Sequence, residues 1–241
     1  MSNENQKVIL KDLEQIDYQQ AWEIQERLLA ENVQIKSASR NQPAYDPLKS
    51  PTRNHLLLCE HSAVYTLGKS GNMDHVLLTE SELSDRNIQF FKTNRGGDIT
   101  FHGQGQLVGY PILDLEKFTT DIGLYLRNLE EVIIQTIANF DLVGKRSAGE
   151  TGVWLDPDQK GKERKICAIG VRCSRWITMH GFALNVNTDL NYFNHIIPCG
   201  IVNKQVTSLQ AELGHEVKMD EVKKYFKAAF ESVYNIEFIS D

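Results

Sequence analysis

The chain has 241 residues, 41% of them hydrophobic and 24% charged, with a net charge of −6. That size supports a substantial hydrophobic core, and no apolar run approaches the roughly 18–20 residues of a membrane span. The acidic balance argues against nucleic acid as a partner. The N-terminus has neither the apolar core of a secretory signal nor the arginines of a transit peptide, so a cytoplasmic location is expected.

Residues 8–16 alternate weakly, as a strand does. Asp17 opens a helix, with Gln20 at the capping-box position and Ala21, Ile24, Leu28 and Leu29 on its apolar face. Residues 37–54, with Pro43, Pro47 and Pro51, read as a long surface loop. Residues 55–60 and 63–68 predict two strands around a tight turn. Thr79 with Glu82 caps a short helix, and residues 89–93 predict another strand. A glycine-rich loop over 94–106 then feeds an apolar strand over 107–113. Asp121 caps the longest clear helix, in which Leu126, Leu129, Ile133, Ile137 and Phe140 recur at helical spacing. Residues 151–155, 166–172 and 176–187 predict strands, the first two joined by a polar turn over 156–162. A short helix carries Leu190, Phe193 and Ile197 up to Pro198-Cys199-Gly200. Asp220 opens a final amphipathic helix, and 236–239 predict a terminal strand. Many strands in meander order with irregularly inserted helices predict an α+β fold, a single domain over 1–241 with mixed or antiparallel sheets and flanking helices.

Three features carry candidate chemistry. The first is the loop beginning at Arg95, where Gly96, Gly97, Gly103 and Gly105 alternate with Arg95, Thr100, His102, Gln104 and Gln106. Bare backbone and polar side chains share one surface there, which suits a ligand cradle, and neither nucleotide-binding fingerprint is present. The second is Lys165, followed by apolar and small residues, although its neighbours Lys160, Lys162 and Arg164 equally fit a solvated basic run. The third is Cys199, set between a proline that fixes φ and a glycine that permits close approach, though a lone cysteine is also an ordinary small core residue. A cysteine and a lysine in one pocket can form a nucleophilic pair, because the ammonium favours the reactive thiolate. His180 and His195 are rival bases for that thiol, so cysteine–histidine chemistry stays open on the residues alone. The four cysteines, Cys59, Cys167, Cys173 and Cys199, include no Cys-x-x-Cys pair and are expected as free thiols. His55, Cys59 and His61 share a face of an extended run without a fourth ligand, so no metal is expected.

Four ordered blocks resemble one family. Arg95-Gly96-Gly97-Asp98-Ile99-Thr100-Phe101-His102-Gly103-Gln104-Gly105-Gln106-Leu107-Val108-Gly109-Tyr110-Pro111 is similar to the signature of the octanoyltransferases of lipoate biosynthesis. Lys165-Ile166-Cys167-Ala168-Ile169-Gly170-Val171-Arg172, His180-Gly181-Phe182-Ala183-Leu184-Asn185-Val186-Asn187 and Pro198-Cys199-Gly200-Ile201 resemble its further motifs in order and spacing. A weaker fifth match runs over residues 56–68. Gln104 stands where the family usually has proline, and Cys167 where it usually has a small residue such as alanine, which puts a second thiol next to the lysine in sequence.

The resemblance implies a fold similar to the catalytic domains of biotin and lipoate protein ligases, and a cysteine–lysine acyltransferase without cofactor. Its donor would be octanoyl-acyl carrier protein. Its acceptors would be lipoyl domains of 2-oxoacid dehydrogenases and the glycine-cleavage H protein. Cys199 would form an acyl thioester and Lys165 would lower its pKa. Arg95, Gly96, Gly97, Asp98, Ile99, Thr100, Phe101, His102, Ala168, Ile169, Gly170, Gly181, Phe182 and Ala183 would line the acyl site. The alternative on the same scaffold is an ATP-dependent lipoate or biotin ligase, which needs no cysteine nucleophile. A non-catalytic module that holds acylated domains is the third reading. Carrier proteins are usually acidic, so Lys145, Arg146, Lys160, Lys162, Arg164, Arg172 and Arg175 are expected to form a basic docking face.

Overall fold

The computed structural model describes residues 6–39, 46–197 and 205–240. In chain order its elements are β1 (Gln6–Gln15), α1 (Tyr18–Ser39), β2 (Asn54–Glu60), β3 (Val64–Leu67), α2 (Glu80–Asp85), β4 (Gln89–Lys92), β5 (Ile99–His102), β6 (Gln106–Ile112), α3 (Ile122–Ala138), β7 (Val153–Leu155), β8 (Arg164–Ser174), β9 (Ile177–Asn185), β10 (Gln205–Val206), α4 (Leu209–Leu213), α5 (Met219–Tyr234) and β11 (Ile236–Ile239). The larger sheet runs β10-β8-β9-β6-β2-β1-β11 with β7 on the other side of β8, and the smaller runs β4-β3-β5. The pairings β1–β2 and β1–β11 are parallel, whereas β2–β6, β6–β9 and β8–β9 are antiparallel. The sheets are therefore mixed, in a fold of strands and flanking helices.

Side-chain alternation explains the layering. On β2, Leu57 faces α1 and joins Ala21, Leu28, Leu29, Val108 and Tyr110. Its neighbours Leu56 and Leu58 face the other way, toward Leu129 and Ile133 of α3 and Phe226 and Phe230 of α5. A strand covered on both faces is apolar through its middle, which is why 56–59 reads as a continuous hydrophobic run. The β8–β9 hairpin turns through Arg175 and Trp176, with φ of 51° and 66°. Two successive positive φ values match the right-handed strand twist and fix the register that sets Gly170 opposite Gly181.

Several local expectations change. Residues 55–60 and 63–68 do not form a hairpin: β2 lies in the larger sheet and β3 in the smaller one. The glycine-rich stretch is not all loop, because Ile99–His102 pairs with β3 as β5. The longest helix is α1 with 22 residues, not α3 with 17. It extends to Ser39, into the stretch read as loop, and residues 40–45 of that stretch lie outside the described residues. The final helix begins one residue before Asp220, at Met219. Two short elements, β10 and α4, had no sequence counterpart.

Candidate active site

A cavity of about 570 Å³ lies against the β8–β9–β6 part of the larger sheet. That size is usual for a small-molecule pocket. Its walls come from the Arg95 loop and β5, from Ala168 to Val171 on β8, from His180 to Ala183 on β9, and from Ile122 and Leu126 on α3. Phe193 and Val206 add further apolar surface. Of the residues expected from the family motifs, Phe101 is the exception and does not line it. Its ring turns into the core of the smaller sheet and stacks on Tyr192 at 4.4 Å between centroids. Strand alternation accounts for this, since Thr100 and His102, its neighbours on β5, do face the cavity.

Lys165 reaches the cavity because β8 carries a bulge. Cys167 pairs with Val153 and Lys165 with Trp154, so Ile166 is an extra residue. Ile166 and Cys167 consequently both pack into the core beside α3, and the alternation resets so that Lys165 shares the cavity wall with Ala168. The second thiol expected near the lysine is thus turned away from it. Cys167 is fully buried, and burial pushes its thiol pKa well up, which makes it unreactive. Cys59, Cys167 and Cys173 are all free thiols. Cys199, with Pro198 and Gly200, lies outside the described residues. The chain on either side of it is fixed: Ile197 N–H donates to the His75 carbonyl (2.9 Å), and Thr207 N–H donates to the Lys165 carbonyl (2.9 Å). Imidazole Nδ1 of His75 in turn bonds Asp98 Oδ2 at 2.6 Å, and Asp98 is part of the cavity wall.

The Arg95 loop is held onto β8 by backbone. Gly96 N–H donates to the Val171 carbonyl (2.9 Å). A Cβ on Gly170 would stand 2.8 Å from the Gly96 carbonyl oxygen, so no larger residue fits that position without displacing the loop. The glycine here makes room for the protein's own backbone. The Val171 carbonyl points outward to the loop, and strand geometry sends the N–H of Ile169, two residues back and itself a cavity-lining residue, to the same edge of β8.

One wall is a hydrogen-bonded polar line. Gln106 Nε2 donates to the Phe101 carbonyl (3.1 Å) and to Asn185 Oδ1 (2.8 Å), which leaves its Oε1 to accept from His102 Nδ1 at 2.9 Å. Asn185 Nδ2 continues to the Thr207 carbonyl, so the line ends one residue from β10, opposite Lys165. Arg95 anchors the other end, donating through Nη2 and Nε to Thr66 Oγ1 (2.9 and 3.3 Å). Burial, and then His61 and Arg95, hold His102 near a pKa of about 3, so it is a neutral hydrogen-bonding group.

The rival base His180 does not suit proton abstraction. It pairs with Val171, six residues along β8 from Lys165. Its Nε2–H donates to Asn94 Oδ1 at 2.7 Å, its backbone N–H to Gln25, and burial with Arg95 and Arg172 depresses its pKa to about 3. A backbone φ of 57° at this buried residue fits a fixed structural histidine. His61 is similarly committed, donating from Nδ1 to the Ile16 carbonyl (2.8 Å) and accepting from the Tyr110 hydroxyl (2.7 Å). No cluster suited to a metal ion occurs among the described residues.

The expected basic face is largely neutralised locally. Arg164 engages Asp156 and both oxygens of Glu212, Arg146 engages Glu130 and Glu131, Lys145 engages Asp158, and Arg172 engages Glu26. Lys160 and Lys162 stand exposed on the polar turn.

Comparison with known proteins follows the same lines. The lipoyl protein ligase A/B catalytic domain matches residues 17–231. An octanoyltransferase of Christiangramia forsetii is 51% identical over 234 residues, 97% of this chain and 98% of that protein. One of Flavobacterium johnsoniae is 57% identical over 220 residues, 91% of this chain and 93% of its own length. Among solved structures, lipoate-protein ligase A bound with ATP superposes with a TM-score of 0.66 at 15% identity, over 99% of this chain and 89% of that one. A bipartite lipoate protein ligase from Thermoplasma acidophilum gives 0.64 at 16%, over 99% and 86%. At such identities these two establish the fold alone.

Proposed function

We propose, because this chain belongs to the lipoyl protein ligase A/B catalytic domain family and is a transferase of the lipoyl(octanoyl) type, that it moves an octanoyl group from an acyl carrier protein to a lysine of a lipoyl domain through a thioester on Cys199. The observation that carries this reading is the arrangement around Lys165. Lys165 lines a partly apolar cavity, and the described chain on either side of the Cys199 segment bonds to His75, whose ring holds Asp98 of the cavity wall, and to the Lys165 carbonyl.

In the first half-reaction Lys165, as an ammonium, favours the Cys199 thiolate. The thiolate attacks the donor thioester carbonyl, a new C–S bond forms, the old one breaks, and the carrier leaves as a thiol with a proton from Lys165. In the second half-reaction the acceptor amine attacks the Cys199 thioester. Neutral Lys165 takes the amine's proton as the amide forms, and Cys199 leaves as thiolate. Thioester to thioester is nearly balanced and thioester to amide is downhill, so no ATP is consumed. The Ile169 N–H at the exposed edge of β8 is the backbone donor best placed for the developing oxyanion. Ile122, Leu126, Ile169, Val171, Phe182 and Phe193 supply the apolar walls for the eight-carbon chain.

A ligase reading shares the scaffold, since a solved neighbour of the same fold is bound with ATP. The two are separated by offering octanoyl-carrier protein and a lipoyl domain without ATP, and free octanoate with ATP. Amide formation from the first mixture only, lost in Cys199→Ser, supports the transferase. Turnover of the second mixture by Cys199→Ser would establish the ligase instead.

A further inference from the structure

Helix α3 carries one carboxylate into the core. Glu130 is fully buried, on the helix face that also buries Leu129 and Ile133. A charge there is held only if it is paired and hydrogen-bonded. Its Oε2 takes Arg127 Nη1 at 2.8 Å and Arg146 Nε at 3.1 Å, and its Oε1 accepts from the backbone N–H of Gly152 at 3.0 Å. The two arginines are partly exposed, so the carboxylate reaches inward for the glycine.

Gly152 is where the turn over 146–152 meets Lys165. Its φ is 121°, and a Cβ there would lie 2.5 Å from the Cys167 carbonyl oxygen and 3.5 Å from Cε of Lys165. Just before it, Gly149, Glu150 and Thr151 line the cavity together with Lys165. Two residues after it, the Trp154 ring lies under Lys165, 4.6 Å from Nζ to centroid. The side and the underside of the lysine stem are therefore both set by the strand that Glu130 fastens.

We infer that Glu130 is a positioning residue for Lys165, acting through the Gly152 N–H and the start of β7. This rests on the proposed role of Lys165 as the partner of Cys199. Other charged groups around it are Arg127, Arg146 and Glu131 on the Glu130 side, and Glu150 on the cavity side.

The test uses the full chain with Glu130→Gln, Gly152→Ala and Lys165→Ala. Glutamine keeps the size of the side chain but turns an amide NH2 toward the arginines or toward Gly152. Alanine at 152 leaves Glu130 and its arginines intact and displaces the glycine, so it carries the test if Glu130→Gln does not fold. Three quantities are read: octanoyl transfer, melting temperature, and the pH dependence of iodoacetamide alkylation at Cys199, followed on the Cys199 peptide. Transfer is expected to fall roughly 10–100-fold, the scale of an ångström-sized misplacement of a reacting group. The alkylation inflection is expected to move upward in both variants, in the direction of Lys165→Ala. A merely structural carboxylate would lower the melting temperature and leave the inflection in place. An inflection unmoved in the folded variants beside a moved one in Lys165→Ala overturns the inference alone. An inflection unmoved in Lys165→Ala as well overturns the underlying role of Lys165, and the inference with it.

Discussion

The amine of Lys165 lies 4.6 Å from the centroid of the Trp154 ring, across the β7–β8 pairing. An indole face stabilises a neighbouring ammonium. In the proposed cycle Lys165 gives up a proton in one half-reaction and takes one in the next. Replacing Lys165 by arginine separates the two demands, because a guanidinium stays protonated at any working pH. Lys165→Arg should still form the acyl-enzyme, more slowly, and then stall. Intact-mass spectrometry should find the octanoyl adduct accumulating while amide formation falls roughly 10²–10⁴-fold, the usual weight of a general base. Equal loss in both steps would remove the second role.

Chain length tests the cavity. Each buried methylene contributes about 0.8 kcal/mol, so two fewer cost about 1.6 kcal/mol, roughly fifteenfold in kcat/KM. Hexanoyl thioesters should therefore react that much less well than octanoyl ones. Replacing Leu126, which faces the cavity from α3, by alanine should flatten the difference. Equal rates for hexanoyl, octanoyl and decanoyl donors would show that the tail does not enter.

Docking of an acidic carrier should depend on few residues. With Arg164, Arg146 and Lys145 committed to local carboxylates, Lys160 and Lys162 on the exposed polar turn, together with the exposed Arg175 at the β8–β9 turn, are cations available for steering, and the two lysines are the pair to test. Reversing both charges should slow acylation by the carrier protein several-fold, and more at low salt, while leaving small octanoyl thioesters unaffected. Equal effects on both donors would assign the turn to solubility only.

Three buried histidines give the fold an acid sensitivity. Burial depresses His61 to a pKa of about 4 and His102 and His180 to about 3, all below the ordinary 6.5. Protonation then favours the unfolded chain, so their contribution is complete above pH ~6.5 and declines as pH falls toward the folded values. The depressed carboxylates Asp17, Glu131 and Glu212 add to acid sensitivity only below about 4.5, starting from ordinary values of 3.8, 4.5 and 4.5. The melting temperature should therefore already drop between pH 6.5 and 4.5, and His61→Gln should reduce that slope. A flat profile over this window would contradict the neutral, buried state of these rings.

Much of this site was legible in the sequence because its parts are contiguous. The Arg95 loop, the Lys165 strand and the His180 strand each run as one block, and period-two alternation puts their small residues on one surface. Other features depend on pairing that no local pattern reveals. The bulge at Ile166 turns Cys167 away and Lys165 outward, yet Lys165-Ile166-Cys167 reads as ordinary alternation. Glu130 looks like one more polar helix residue until its Gly152 contact, 22 positions away, is seen. The short β10 consists of Gln205 and Val206 and exists only by pairing with Arg164 and Lys165. Splitting β2 and β3 between two sheets likewise follows from long-range pairing with β6 and β5.

The central claim is that an octanoyl group rests covalently on Cys199 before it reaches the acceptor. Intact-mass measurement after mixing the protein with octanoyl-carrier protein, without acceptor, reads this directly. A single added octanoyl mass is expected, mapped to the Cys199 peptide, discharged by a lipoyl domain and missing in Cys199→Ala. Amide formed on the acceptor at an undiminished rate by Cys199→Ala, with no adduct on the unaltered protein at any time, would contradict it.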